Sequence, residues 1–251
     1  MATYAIGDIH GQLEVLKMLI SKLNLTSEDH VIFLGDYIDW GPDWFGVIKY
    51  INELKNTCKI TILRGNHEQM MLDAIHGLTQ DKAFEMNDPH LDYISYWMTI
   101  GGDATIEDFI KLKNEDKQIV INFLEELLVD ISIDVNNDSY VLCHALPGDV
   151  GKTEIDAVWA RLKFDDEGKF YYESFIDVNI LMSKYENKII IHGHSPVMDY
   201  SDPKNEIKAL LYQIANVKFI NIDVGCTYMG KKPGVNLCAF RLDDEKEFYA
   251  L

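Results

Sequence analysis

Three short segments in the first third of the chain join glycine to side chains that bind metal ions. They read Gly7-Asp8-Ile9-His10-Gly11, Gly35-Asp36-Tyr37-Ile38-Asp39 and Gly65-Asn66-His67-Glu68. Carboxylates, an imidazole and an amide oxygen together form a hard, mixed oxygen and nitrogen ligand set, which suits Mn, Fe or Zn. Glycine lets the chain turn sharply and brings the backbone close to a ligand. The three segments therefore indicate a metal site.

Two histidines later in the chain also come just after apolar runs. His144 follows the apolar run 139–143, and His194 follows the run 188–191 within the segment His192-Gly193-His194-Ser195-Pro196. Five of the eight histidines lie at or just beyond apolar, strand-like runs: His10, His67, His144, His192 and His194. Histidines placed only for packing would also be expected on helix faces, so this distribution favours a site at strand ends.

The elements that must position these residues alternate in the first third of the chain. Short apolar runs at 4–6, 31–34 and 60–63 predict strands, and the first two are followed by apolar residues at helical spacing. Successive strand–helix units predict parallel strands covered by helices. In parallel α/β sheets, sites form beyond the carboxyl ends of the strands, which is where the three glycine segments lie.

The remaining pattern completes an α/β (α+β) fold. Residues 78–130 read as helical and acidic, with helices near 103–112 and 115–128, and form either a cap over the site or a solvated helical layer. Strands are predicted at 131–135, 139–143, 188–192, 217–222, 236–242 and 246–250, with a helix near 173–186. We expect one domain over residues 1–251, built from two mixed β-sheets packed as a sandwich and flanked by helices.

Composition excludes several classes of partner. The 251 residues carry a formal net charge of -18, and only Arg64, Arg161 and Arg241 are arginines. No basic stripe is present for nucleic acid or for an anionic membrane surface. Without a signal peptide or a long apolar run, we expect a cytoplasmic protein whose four cysteines are buried free thiols.

These motifs resemble those of the phosphoprotein phosphatases, within the calcineurin-like metallophosphoesterases. The segments that carry the resemblance fall in the family's order: GDIHG, GDYIDWG, RGNHE, CHA, Trp159-Ala160-Arg161, HGHSP and Asp223-Val224-Gly225-Cys226. The resemblance covers nearly the whole chain. It is strongest to the compact bacterial and phage branch, which includes the lambda-type phosphatases and the symmetrical diadenosine tetraphosphate hydrolases.

The resemblance implies two divalent metal ions, with Mn preferred and Fe or Zn as alternatives. Its ligands would be Asp8, His10, Asp36 as the bridging carboxylate, Asn66, His144 and His194. His192 competes with His194, but the family places its ligand after Gly and before Ser/Thr-Pro, which favours His194. A hydroxide bridging the two metals would attack phosphorus directly.

The resemblance also implies the remaining catalytic roles. His67 would act as general acid toward the leaving group, and Asp39 would hold that imidazole. Asp39 considered alone also fits an ordinary turn carboxylate. Arg161 and Asn66 would bind the substrate phosphate.

One position departs from the family pattern. The family has Asp-Arg-Gly where this chain has Asp39-Trp40-Gly41. The absent arginine would be a phosphate ligand. Trp40 is either a wall of the cleft or a surface on which an aromatic leaving group stacks.

The leading functional hypothesis is a metal-dependent serine/threonine protein phosphatase acting on phosphorylated proteins or small phosphoesters. The alternative is a symmetrical dinucleoside polyphosphate hydrolase, whose motifs are nearly the same. An inactive relative that only binds a partner is disfavoured because every predicted ligand is present. A nuclease is disfavoured because no basic groove is evident, and the pattern does not define an oligomeric state.

Overall fold

The secondary structure comes from a computed structural model that describes residues 1–79, 94–164, 170–172, 176, 178–200, 206–214 and 216–251. The strands are β1 Thr3–Ile6, β2 His30–Phe33, β3 Lys59–Ile62, β4 Asp130–Val135, β5 Asp138–Cys143, β6 Leu162–Phe164, β7 Phe170–Tyr172, β8 Ile189–His192, β9 Leu210–Ile214, β10 Val217–Asn221, β11 Cys238–Arg241 and β12 Lys246–Tyr249. The helices are α1 Leu13–Leu23, α2 Trp44–Leu54, α3 Asn66–Thr79, α4 Asp103–Lys111, α5 Asn114–Glu125, α6 Glu154–Trp159 and α7 Val178–Tyr185. A π-helical turn, Met98–Gly102, precedes α4, and 3-10 turns cover Val197–Asp199 and Cys226–Tyr228.

Two five-stranded mixed sheets form the centre of the molecule. The first has the order β12-β11-β1-β2-β3, and the second has the order β4-β5-β8-β10-β9. In the first sheet β1, β2 and β3 are parallel, and in the second sheet β5, β8 and β10 are parallel. The outer strands pair antiparallel to them. Six parallel strand ends are therefore available to carry site residues.

Alternating side chains explain why the two sheets pack face to face. In β1, Tyr4 and Ile6 join the cluster beneath the helices of the first sheet, whereas Ala5 joins the cluster between the sheets. In β5, Val141 joins the outer cluster and Leu142 the inner one. Successive strand residues point to opposite faces, so a strand buried on both faces reads as a continuous apolar run. The predicted two-sheet sandwich is confirmed.

Helices cover the outer faces as their periodicity predicts. On α1, the buried residues are Val15, Leu16, Leu19, Ile20 and Leu23. The first turn of α2 is capped by Asp43, whose carboxylate accepts a hydrogen bond from the Gly46 N–H at 2.8 Å. Such a cap satisfies a backbone donor that has no partner within the helix.

Most predicted elements occur within two residues of their expected bounds, but three strands were missed. These are the β6–β7 hairpin and β9, which pairs antiparallel with β10. Two predicted segments lie partly outside the described residues. These parts are 80–93 of the helical segment predicted at 78–130, and 173–175 and 177 of the helix predicted at 173–186. The single-domain organisation over 1–251 stays a prediction. None of the helices in the described ranges is both long enough and apolar enough to cross a membrane.

Candidate active site

The loops after β1 and β2 are hydrogen-bonded to each other at the carboxyl edge of the first sheet. The backbone N–H groups of Ile9 and His10 both donate to the Asp36 carbonyl, at 3.0 and 2.8 Å. His10, Asp36 and His194 all have positive φ values, of 48°, 52° and 66°. Non-glycine residues rarely adopt this conformation, and such strain concentrates at functional sites. A Cβ on Gly41 would lie 2.1 Å from the His10 carbonyl oxygen, so this turn requires glycine.

The first group of predicted ligands lies beside Asp36 Oδ2, where ligand atoms of His10, Asp36 and His67 come within 4.8 Å of one another and Asp8 lines the same cavity. The Nδ1–H of His10 donates to the Ile38 carbonyl at 3.0 Å, which leaves the lone pair of Nε2 3.4 Å from Asp36 Oδ2. The carboxylate of Asp8 is buried and accepts the backbone N–H of His194 at 3.0 Å. Burial and nearby carboxylates hold the pKa of Asp8 well above its usual range.

The second group gathers around the other oxygen of Asp36. The Nδ1–H of His144 donates to the Leu34 carbonyl at 3.0 Å, so its Nε2 presents a lone pair. That nitrogen lies 3.4 Å from Asp36 Oδ1 and 3.1 Å from both Asn66 Oδ1 and His194 Nδ1. Ligand atoms of Asp36, His144 and His194 lie within 4.8 Å of one another. The structure thus brings all six predicted metal ligands to one place, with Asp36 between the two groups.

His67 is held by a buried network that reaches into the segment after residue 94. Its Nδ1–H donates to Asp39 Oδ2 at 2.5 Å, and the Nε1–H of Trp97 donates to the same oxygen at 2.6 Å. The hydroxyl of Thr105 donates to the other oxygen, Oδ1. Asp39 is buried, and these three hydrogen-bond donors hold its carboxylate in place. The Nε2 atom of His67 is left facing the carboxylate of Asp36, 3.9 Å away.

A cavity of about 150 Å³ opens over these residues. The charged and imidazole groups that line it include Asp8, His10, Asp36, His67, Arg161, His194, Asp199 and Asp223, and the aromatic ones are Trp40, Tyr96 and Tyr228. Arg161 is exposed to solvent at the cavity, and its Nη1 donates to the His194 carbonyl at 3.4 Å. The cavity therefore combines an acidic floor with a guanidinium and aromatic side chains on its walls.

His192 and Arg64 lie beside the site rather than in it. His192 ends β8, is buried, and its Nε2 lies 2.6 Å from the Tyr212 hydroxyl, which favours His194 over His192 as the ligand. Arg64 donates to Gln69 Oε1 at 3.1 Å and to the Leu127 carbonyl at 3.2 Å. These contacts give Arg64 a structural role in pairing the loop after β3 with the chain near Leu127.

Comparison with known proteins decides the family. The family model for calcineurin-like phosphoesterases matches residues 1–220. The chain belongs to the calcineurin-like phosphoesterase family. It is thus a phosphoester hydrolase by family, and the two mixed sheets flanked by helices match the fold of that family.

Individual relatives point to two kinds of phosphoesterase. A symmetrical bis(5'-nucleosyl)-tetraphosphatase of Photorhabdus laumondii is 30% identical over 118 residues, covering 45% of this chain and 42% of that protein. Serine/threonine-protein phosphatase 2 of Escherichia coli K12 is 30% identical over 146 residues, covering 57% of each chain. A solved structure described as a candidate diadenosine tetraphosphatase has a TM-score of 0.58 at 18% identity, covering 99% of this chain and 92% of that one, and it supports the fold alone. The matches span less than two thirds of the length of both curated relatives.

Calcineurin-like phosphoesterases are dimetal enzymes, and the residues of this chain fit a pair of cations. Among the described residues, the buried Asn66 Nδ2 and His194 Nε2 have no hydrogen-bond partner. The lone pairs on His144 Nε2, Asn66 Oδ1 and Asp36 Oδ1 face one another within about van der Waals distance. Lone pairs crowded in this way repel unless a cation or proton lies between them, and buried charges are normally paired or coordinate metals. The donor set of carboxylate, imidazole and amide groups suits borderline to hard divalent ions.

Three functional candidates were missed by sequence reasoning. Buried Glu68 accepts backbone N–H groups of Asp36 and Tyr37, each at 2.8 Å, and so anchors the loop that presents Asp36. Its position in Gly-Asn-His-Glu was the available signal. Trp97 and Thr105 lie 58 and 66 residues from Asp39 along the chain, and no local pattern links them to it.

We expect the metal-free protein to lose stability as the pH rises from about 7 to 9. Burial raises the pKa of Asp223 to about 7 and, with the charge of Asp36, that of Glu68 to about 8. Burial lowers the pKa of His67, but the charges of Asp36 and Asp39 outweigh it and raise that pKa to about 9. The folded state therefore binds more protons than the unfolded chain in this window. Each such proton contributes a loss of up to about 1.4 kcal/mol per pH unit.

This expectation is tested by urea unfolding of chelator-treated protein between pH 7 and 9. Burial lowers the pKa of His10 to about 4, so this imidazole is neutral in the folded state throughout the window, and in the unfolded chain, where a histidine pKa is about 6.5, it keeps a small protonated fraction only near pH 7. The Glu68→Gln variant should show a shallower decline, and saturating Mn²⁺ should stabilise the protein more at pH 9 than at pH 7. A free energy of unfolding that rises over this range would contradict the assigned protonation states.

Proposed function

We propose that this phosphoesterase is a metal-dependent hydrolase of dinucleoside tetraphosphates that cleaves the chain symmetrically and releases two nucleoside diphosphates. The supporting observation is the aromatic lining of the cavity, where Trp40, Tyr96 and Tyr228 surround the same space as Asp36 and Arg161. Nucleobases stack on aromatic rings, whereas phosphoserine and phosphothreonine have no ring to stack. A nucleotide substrate therefore makes use of features that a phosphoserine side chain would leave unused.

The relatives support the same choice. Several of the curated proteins that match this chain are symmetrical bis(5'-nucleosyl)-tetraphosphatases, including those of Photorhabdus laumondii and Proteus mirabilis. The serine/threonine protein phosphatase hypothesis, favoured by the motifs alone, thus becomes the second candidate. Exposed cations are also available near the cavity, since Lys231 and Lys232 lie over the rings of Trp40 and Tyr228. These lysines supply positive charge for a polyphosphate although the chain as a whole is acidic.

The six clustered side chains would hold two divalent ions, for which we propose Mn²⁺. Asp8 and His10 would bind one ion, Asn66, His144 and His194 the other, and Asp36 both. When bound, such ions lower the pKa of a coordinated water to near neutrality and neutralise charge on the phosphoryl oxygens. The strained backbone at His10, Asp36 and His194 holds the ligands in place before the ions arrive.

The protein's own groups orient the phosphate and supply a proton. Arg161 donates from the cavity wall, and a guanidinium binds phosphate oxygens in a bidentate manner. Asn66 is the second group proposed to contact the phosphate. His67 carries a proton on Nε2 while its Nδ1–H is held by Asp39, so it can protonate the leaving oxygen as the P–O bond breaks.

The second candidate, a phosphoprotein phosphatase, retains one specific argument. At the same identity of 30%, the Escherichia coli serine/threonine-protein phosphatase 2 matches over 146 residues and the Photorhabdus laumondii tetraphosphatase over 118, although a Salmonella paratyphi B tetraphosphatase matches over 178 residues at 26% identity. The same metal ligands and the same His67–Asp39 pair would serve either reaction. The two reactions differ at the attacked phosphorus, which carries the serine oxygen as its single substituent in a phosphoserine but is linked through oxygens to phosphate groups on both sides in a dinucleoside tetraphosphate.

Turnover of two substrates separates the candidates. We expect the Mn²⁺-loaded protein to hydrolyse diadenosine tetraphosphate with kcat/KM at least about ten-fold above that for a phosphoserine peptide, because nucleobase stacking adds binding energy. Adenosine diphosphate should be the sole nucleotide product by chromatography. A higher kcat/KM for the phosphopeptide would establish the second candidate in its place, and release of adenosine monophosphate would contradict symmetrical cleavage.

A further inference from the structure

Trp40 has a backbone conformation that fixes its side chain in the cavity wall. Asp39 and Trp40 are consecutive residues with positive φ values, of 68° and 63°, which is unusual for a bulky side chain. The indole lies against Gly101, where a Cβ would come within 3.2 Å of Trp40 Cδ2. Gly101 itself has a φ of 101°. The ring is therefore placed by its own strained turn and by a glycine in the segment that it contacts.

The indole nevertheless stays available to a ligand. Trp40 is 42% exposed and lines the cavity together with Asp36 and His67. Large apolar side chains on a protein surface are ordinary when scattered singly, but this one borders the catalytic cavity. A ring at that position can contact the part of a substrate that extends outward from the scissile phosphate.

A cation accompanies the ring. The Lys231 Nζ lies 5.4 Å from the centroid of the Trp40 ring, a distance typical of cation–π contacts. The backbone N–H of Lys231 donates to the Tyr228 carbonyl at 2.8 Å, so the turn after Cys226–Tyr228 brings this lysine back over Trp40, which lines the cavity. Asp199 and Asp223 line the interior of the cavity. Lys231 thus supplies positive charge for outer phosphates beside Trp40, in addition to Arg161 on the cavity wall.

We propose that Trp40 and Lys231 form a subsite for the departing nucleoside diphosphate, with the base on the indole and its phosphates beside the ammonium. This inference rests on the proposed function, because it assumes a substrate with a nucleotide beyond the scissile bond. An aromatic face binds any base, whereas an ammonium selects for the negative charge of a polyphosphate. The subsite therefore selects nucleoside diphosphates over nucleosides and over inorganic phosphate.

The test compares each variant with the wild type, both loaded with Mn²⁺. Calorimetry gives the Kd values for adenosine diphosphate and for inorganic phosphate, and turnover assays give KM for diadenosine tetraphosphate. Trp40→Ala should weaken adenosine diphosphate binding and raise KM by about 10- to 100-fold, while Kd for phosphate changes less than about three-fold. Trp40→Phe should recover most of the loss because it keeps a ring.

Lys231→Ala should weaken adenosine diphosphate binding by about three- to ten-fold and reduce its salt dependence. Lys246→Ala removes another exposed lysine in a cation–π contact, over Phe248, and serves as the matched control.

Two results would overturn the subsite. In the first, Trp40→Ala leaves the adenosine diphosphate Kd within three-fold of the wild type. In the second, it weakens adenosine diphosphate and phosphate equally, which is the result expected of a structural wall. Calorimetry does not depend on turnover, so a protein that fails to hydrolyse diadenosine tetraphosphate would lose the proposed function while the binding comparison still decides the subsite. Thermal melts establish that each variant is folded.

Discussion

Replacing Asp36 with asparagine is expected to lower kcat/KM by at least about a thousand-fold on any phosphoester, because both proposed metal sites share this carboxylate. One of its oxygens faces His10 and the other faces His144, both at 3.4 Å. Burial raises the pKa of Asp36, but the imidazoles of His144, His67 and His10 outweigh it and hold that pKa at about 2. The carboxylate is thus ionised at every working pH, and asparagine removes a full negative charge from the centre of the site.

The same substitution should affect activity far more than metal-free stability. In the metal-free protein, the charge of Asp36 raises the pKa values of Asp8, Glu68 and Asp223, but the low pKa of Asp36 itself means that its attraction to the nearby imidazoles exceeds this repulsion. Metal-free Asp36→Asn should therefore melt somewhat below the wild-type temperature at pH 8 while still unfolding cooperatively. The rise in Tm that Mn²⁺ produces in the wild type should disappear. Retained turnover, or an unchanged Mn²⁺-induced rise, would contradict the bridging assignment.

Replacing His67 with asparagine should produce the second-largest effect, and its size should depend on the leaving group. General acid catalysis contributes about 10²- to 10⁴-fold, and most when the departing oxygen is a poor leaving group. We therefore expect kcat to fall by about 10²- to 10⁴-fold on an alkyl phosphate such as a phosphoserine peptide. The fall should be about ten-fold or less on p-nitrophenyl phosphate, whose phenolate departs without a proton.

Two companion variants report on the network behind His67. Asp39→Asn removes the acceptor of the Nδ1–H, so it should reproduce the leaving-group dependence of His67→Asn. Trp97→Phe removes one donor to Asp39 while keeping an aromatic ring in the core, so the same dependence should appear in weaker form. An equal loss on both substrates in every variant would indicate a metal-binding or folding defect and would exclude proton donation by His67.

The sequence predicted the parts of the fold that local pattern determines. Continuous apolar runs at β1, β2 and β8 end in glycine and polar residues, and this pattern is sufficient to place Asp8, Asp36 and His194 at strand ends. β9 was missed because its sequence, LLYQI, does not alternate apolar and polar residues: Leu211 is apolar although its side chain is exposed. The β6–β7 hairpin was missed because each of its strands has three residues. Short strands carry little periodicity from which to predict them.

The sequence did not predict the contacts that residues far apart along the chain make in the site. The six ligands recur in recognisable motifs, so their convergence was predictable. The donors from Trp97 and Thr105 to Asp39, and the placement of Lys231 over Trp40, depend on tertiary packing that no local motif records. The choice of substrate was also out of reach, because the metal ligands are shared by both candidate reactions. What separates the two is the lining of the cavity beyond those ligands.

Anomalous X-ray scattering from Mn²⁺-loaded crystals, collected at the manganese absorption edge, tests the central claim most directly. We predict two peaks per chain, one beside Asp8 and His10 and one beside Asn66, His144 and His194, with Asp36 contacting both. The Asp36→Asn variant under the same conditions should lose both peaks. Absence of manganese from this cluster in the wild type, or a single ion bound away from Asp36, would contradict the assignment of a two-metal phosphoesterase centre.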